Sequence, residues 1–160
     1  MNVNRATFAE INLESFRHNL RSIKSFVGPA VRTMAIIKAD AYGHGAIQCA
    51  RAAIKENVEY IGVGIIQEGI ELRESGVTSP ILILGGIYPN EIEDLIKYNL
   101  STSLSNAVIA NAISKQAANT NKSVSVHIKI DTGMGRLGVQ PASFQNLLSL
   151  LYQKHYSTKA

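Results

Sequence analysis

Apolar positions recur along this chain at two spacings that take turns. Residues 7–13, Thr-Phe-Ala-Glu-Ile-Asn-Leu, alternate in the way of a short strand. Phe16, Leu20, Ile23 and Val27 then fall three or four apart, which predicts a helix over 15–27 that Gly28-Pro29 stops. A strand is expected at 31–38, and a helix at 46–57 with Ile47, Ala50 and Ile54 on one face. The pattern repeats as strand 60–65 and helix 67–75, closed by Gly76, then strand 80–84 and helix 89–98 with proline in its first turn. A short strand at 101–104 precedes a helix at 105–119, for which Ser105 is the expected N-cap. The last predicted elements are a strand at 124–130, a glycine-rich loop at 133–138 and a helix from Pro141 to Tyr152.

Strands alternating with helices in this way predict βα units on a parallel sheet, open or closed into a barrel. About five such units follow the first strand and helix, whereas a closed (β/α)8 TIM-type barrel needs eight and about 250 residues. The expected fold is therefore α/β, a partial barrel, with no closing element legible in the tail Gln153–Ala160. Parity supports the barrel. Ser125, His127 and Lys129 share one strand face, opposite Val124, Val126, Ile128 and Ile130. Lys38 likewise shares a face with Arg32, Met34 and Ile36. Both lysines are expected to point into the lumen near the C-terminal strand ends, where barrel enzymes place their chemistry.

Composition narrows this picture only a little. With 46% hydrophobic and 18% charged residues the chain is globular in character. The net charge of +4 is spread along it, with no basic run interleaved with aromatics, so no nucleic-acid partner is expected. No apolar run reaches the roughly 18 residues of a membrane span, and Met1–Arg5 lacks the apolar core of a signal peptide. A cytoplasmic location is expected. Cys49 is the single cysteine, which excludes an internal disulfide or a multi-cysteine metal site, and no metal is expected. Within a helix it reads as a small buried hydrophobe.

Two stretches carry candidate chemistry. In Ala35-Ile36-Ile37-Lys38-Ala39-Asp40-Ala41-Tyr42-Gly43-His44-Gly45 a lysine closes a buried apolar run. Desolvating an ammonium is costly, so a Schiff-base lysine bound to a carbonyl cofactor is one reading, and a strand-end lysine reaching solvent is the other. Tyr42 can donate to a phosphate oxygen or merely cover the barrel rim. His44 suits a turn as well as it suits catalysis. The second stretch, Lys129-Ile130-Asp131-Thr132-Gly133-Met134-Gly135-Arg136-Leu137-Gly138, allows tight turns and close backbone approach. Arg136 there suits a carboxylate or phenolate partner, or simply the surface.

Together these stretches closely resemble the alanine racemase family, the pyridoxal-phosphate amino-acid racemases of bacteria. Ile37–Gly45 is similar to the family's cofactor-lysine motif, His127–Gly138 to its second signature, and Arg5–Leu13 to its N-terminal segment. The likeness runs from Arg5 to about Leu151 in the family's order. It implies pyridoxal 5'-phosphate as cofactor and alanine as substrate, D-alanine for peptidoglycan as the product, and a homodimer. It further implies that Lys38 bonds to the cofactor and serves as the D-side base, while Tyr42 contacts the phosphate. Arg136 would position the substrate carboxylate, Lys129 matches a lysine that is carbamylated in some members, and Leu84 would line the cofactor.

The resemblance also implies what is missing. Family members continue from the barrel into a mostly β domain that supplies the L-side catalytic tyrosine across the dimer. Residues 1–13 are then expected as a strand pairing with that second domain, and 14–160 as the partial barrel. The alternatives are a non-catalytic barrel fragment that binds pyridoxal phosphate, or a racemase of serine or broad specificity. A related decarboxylase is a weaker alternative, against which the Ala-Tyr-Gly-His-Gly loop argues.

Overall fold

The computed structural model describes residues 7–152. Residues 1–6 and the tail 153–160, on which two of the expectations above partly rest, lie outside the described residues. Five strands form one parallel sheet: β1 (Met34–Ile36), β2 (Tyr60–Val63), β3 (Ile81–Ile83), β4 (Ser101–Leu104) and β5 (Val126–Ile128). They lie side by side in chain order, β1-β2-β3-β4-β5. That single direction of winding is a barrel's, since a doubly wound sheet reverses its strand order. The helices are α1 (Leu13–Val27), α2 (Lys38–Gly43), α3 (Ala46–Lys55), α4 (Ile66–Glu74), α5 (Ile92–Lys97), α6 (Ala107–Thr120) and α7 (Phe144–Tyr152). Single turns of 3₁₀ helix at Pro89–Glu91 and Pro141–Ser143 lead into α5 and α7.

One contact shows that the sheet is curled. The rings of Tyr60 on β2 and His127 on β5 meet edge to face with centroids 5.6 Å apart. Three strand spacings in a flat sheet would separate those strands by about 14 Å. The two rings therefore sit on a concave face. Register carries that face across the strands, pairing Met34 with Tyr60, Ile36 with Gly62, Gly62 with Leu82, Leu82 with Ser101 and Ser103 with His127. The convex face holds Ala35, Ile61, Val63, Ile81, Ile83, Thr102, Leu104 and Val126, all buried beneath the helices. Burying each large side chain there contributes about 1.5–3 kcal/mol. Stability thus comes from the helix-covered face, and the lumen is left to hold polar groups.

Several boundaries differ from expectation for identifiable reasons. Residues 7–12 form no strand: they pair with nothing among the described residues, and α1 begins at Leu13. The Asn12 side chain accepts from Ser15 N–H at 2.9 Å and so caps a helix instead. Phe16 and Leu20 of α1 pack on the core, but Ile23 and Val27 stay exposed, because no described element covers that side of the helix. The N-cap of α6 is Asn106, whose side chain accepts from Ile109 N–H at 2.9 Å, and not Ser105. Strand β1 is shorter than 31–38, since the chain turns at Lys38. Among the described residues no helix is long and apolar enough to cross a membrane.

Candidate active site

Lys38 begins a left-handed turn. Ala39, Asp40, Ala41 and Tyr42 have φ of 51, 53, 53 and 56°, with ψ between 37 and 53°. None is glycine, so each costs roughly 1–2 kcal/mol against a right-handed conformation. The surroundings must supply that energy, and the bonds that do so are visible. Ala41 N–H donates to Ile37 C=O at 2.8 Å, and Gly45 N–H to Asp40 C=O at 3.0 Å. The Asp40 carboxylate accepts from Ala46 N–H at 2.6 Å, joining the turn to the start of α3. The His44 ring nitrogen Nδ1 meets Ala41 C=O at 2.8 Å, so His44 is a residue of the turn. Behind it Cys49 is buried, its thiol pushed above its ordinary value by burial and then by the Asp40 charge.

The turn sets Lys38 and Tyr42 side by side. Lys38 Nζ lies 5.8 Å from the centroid of the Tyr42 ring, and Tyr42 is 60% exposed, open to a ligand. The Lys38 stem crosses Gly64 on the concave side, and a Cβ there would stand 3.4 Å from Lys38 Cβ. Next to it, a Cβ on Gly85 would strike the Gly64 carbonyl oxygen, so the ends of β2 and β3 pinch together beneath the lysine. Leu84 reaches over Gly62 beside Ile36 and Met34. Tyr42 also lines an open groove of about 540 Å³ with Ile36 of β1 and the following Ile37, Phe16 and Asn19 of α1, and Ile11. Lys38 is not among its lining residues. Arg17 Nε donates to Glu56 at 2.6 Å and holds α1 against the end of α3, which fixes the groove's outer wall.

The second stretch is built differently. Lys129 N–H extends the ladder to Leu104 C=O at 2.9 Å, and its side chain shares a small hollow with Leu84, Ser103, Ser105 and Leu137. The loop then folds on Asp131, which is 8% exposed. Its carboxylate accepts from Gly133 N–H at 3.0 Å and from Gly135 N–H at 3.0 and 3.1 Å. Those amides, Gly135 first, hold the carboxyl below its ordinary value. Asp131 N–H donates to Val139 C=O at 2.9 Å and Val139 N–H to Lys129 C=O at 2.8 Å, closing the loop. Gly138 permits this closure: its φ is +132°, and a Cβ would come within 2.5 Å of Asp131 N. Arg136 stands exposed and is hydrogen-bonded to none of Lys38, Tyr42 or Lys129.

Lower in the lumen, burial and then the nearby Arg32 charge hold the His127 imidazole below its ordinary value. It packs edge to face against Tyr60. The structure thus brings Lys38 to Tyr42 after β1, and Leu84 after β3 to Lys129 after β5, and shows no hydrogen bond from Arg136 to any of them.

Two acidic residues were not singled out by sequence. Asp40 accepts from the first amide of α3, and Glu68 from amides of the lysine turn and its floor. The signal for Glu68 was its place three residues beyond Ile65 at the opening of a helix, where a glutamate commonly reaches back to amides.

An amine beside an exposed phenol suits an aldehyde-bearing cofactor. Comparison with known proteins gives the family. Residues 11–158 match the model of the alanine racemase N-terminal domain. The alanine racemase of Carboxydothermus hydrogenoformans is 42% identical over 151 residues, covering 94% of this chain and 41% of that protein. The Synechocystis enzyme is 39% identical over 94% of this chain and 42% of its own. Among solved structures, alanine racemase of Clostridium difficile superposes with a TM-score of 0.93 at 38% identity, over 99% of this chain and 42% of that one. The Streptomyces coelicolor enzyme gives 0.83 at 32%, over 89% and 38%. The chain spans about two fifths of the length of these relatives. The curled parallel sheet, the lysine turn and these likenesses agree, and the chain belongs to the alanine racemase family, as its N-terminal barrel portion.

Proposed function

We propose that this chain is the part of an alanine racemase that holds pyridoxal 5'-phosphate through Lys38 and works on alanine from one face. The observation that carries the reading is the turn that costs backbone energy to set Lys38 Nζ beside the exposed Tyr42 ring. When bound, the pyridoxal ring supplies a sink for the charge left on the α-carbon after proton loss. Lys38 would hold the cofactor through Nζ and, once displaced by the substrate amine, take or return the α-proton at that atom. Tyr42 would donate its hydroxyl to a phosphate oxygen. Leu84 would give the ring an apolar wall, and Arg136 would bind the substrate carboxylate, with Lys129, carbamylated or not, behind it. Racemisation needs a base on each face. The second would come from the portion of the relatives that this chain does not span, across a homodimer, with residues 1–13 pairing against that portion.

A second reading, cofactor binding without turnover, is favoured by the exposed Arg136, which is hydrogen-bonded to none of Lys38, Tyr42 or Lys129. Titration of the chain with pyridoxal phosphate, followed by its lysine-bound absorption band, tests the attachment common to both readings. The band is expected with the unaltered chain and should vanish in Lys38→Ala. An equal band in that variant would contradict both. Little conversion of L-alanine is expected from this chain alone, and turnover at an enzyme-like rate would overturn the one-base assignment.

A further inference from the structure

The Glu68 carboxylate grips the main chain on both sides of the lysine. Its Oε1 accepts from Ala39 N–H at 2.6 Å. Its Oε2 accepts from Gly64 N–H at 2.6 Å and from Ile65 N–H at 3.3 Å. Ala39 is the residue after Lys38 and the first with positive φ. Gly64 is the floor that the Lys38 stem crosses. The Ile65 and Gly64 bonds alone are ordinary work for a glutamate in the first turn of a helix. The Ala39 bond is not, since it reaches another βα unit, 29 residues away.

 That Ala39 contact joins α4 to the opening of the left-handed turn.

From this geometry we infer that Glu68 is a positioning residue for Lys38 and Tyr42: it clasps the turn in the conformation that sets amine and phenol side by side. The inference rests on the proposed cofactor role of those two residues. A carboxylate suits the task because it is acceptor-only and has two oxygens, one for each strand end. A carboxamide has one acceptor oxygen and would turn its NH2 toward the other N–H. Glu68→Gln therefore loses one grip while keeping size and shape.

The test uses the full chain, unaltered and as Glu68→Gln and Glu68→Ala, with amide hydrogen exchange and pyridoxal phosphate binding as readouts. In Glu68→Ala, Ala39 N–H should exchange about tenfold faster or more, the size of one lost hydrogen bond to a charged group. Pyridoxal phosphate attachment to Lys38 should weaken by a similar factor, with Glu68→Gln between that variant and the unaltered chain. Amides in the middle of α4 should keep their protection in Glu68→Gln, which separates a clasp from a general loss of structure. If Glu68→Ala does not fold, Glu68→Gln decides. Exchange at Ala39 and attachment at Lys38 that both stay within about twofold of the unaltered chain would overturn the inference. So would faster exchange across α4 with attachment unchanged, which would make Glu68 a helix cap only. Should the unaltered chain bind no pyridoxal phosphate at Lys38, the proposed function fails. Exchange at Ala39 would still decide whether the clasp exists.

Discussion

The two stretches at the strand ends solve the same problem in opposite ways. The turn after β1 is held from outside, through Asp40 to α3 and through Glu68 of α4. The loop after β5 is held from within, by Asp131 on its own glycine amides and by the Ile130–Val139 bridge. A turn tied to two other elements cannot move without them, which suits the proposed cofactor role of Lys38. A self-contained loop can keep its shape while its outer side chains wait for a partner. That is where Met134 and Arg136 stand, both exposed.

Gly85→Ala drives a Cβ into the Gly64 carbonyl. It should cost about 1–3 kcal/mol of global stability by chemical denaturation and weaken cofactor attachment. Gly138→Ala should act locally. With φ of +132° and backbone atoms in the way, it should strain the second loop by about 1–3 kcal/mol. Faster exchange at Val139 N–H, with Lys38 attachment unchanged, is the expected pattern. If Gly138→Ala also weakens attachment, the two stretches are coupled and the contrast between them fails.

Much of this arrangement was legible in the sequence, and the exceptions share a cause. Alternating periods located all five βα units, and two-residue parity placed Lys38 and Lys129 on the lumen side. The left-handed turn was not legible, because Ala-Asp-Ala-Tyr has no local preference for positive φ and is held there by bonds from distant elements. Glu68, 29 residues beyond Ala39, is the plainest of these. The strand expected at 7–13 is not formed among the described residues, for the converse reason. Its alternation is real, but a strand also needs a partner, and Asn12 had a helix to cap. Ser105 and Asn106 are both good caps by type, and only the backbone decides between them.

Two smaller effects sharpen the contrast. Asn106→Ala removes a cap remote from both stretches and should cost about 1 kcal/mol, read as a lower melting temperature with Lys38 attachment unaltered. Acid should loosen the second loop. The Asp131 carboxyl is held below its ordinary value of 3.8 by the Gly135 and Gly133 amides. The stabilisation it gives the loop is therefore complete above that value and is lost as pH falls through the lower, folded one. Exchange or NMR shifts of Gly133 and Gly135 should follow that titration, and Asp131→Asn should abolish it.

The proposed function requires the chain to present Lys38 to a carbonyl cofactor. Borohydride reduction of the chain with bound pyridoxal phosphate, followed by peptide mapping, tests it most directly. The account predicts one stoichiometric label, on Lys38. A label spread over surface lysines, or one placed on Lys129 with Lys38 unmodified, would contradict it.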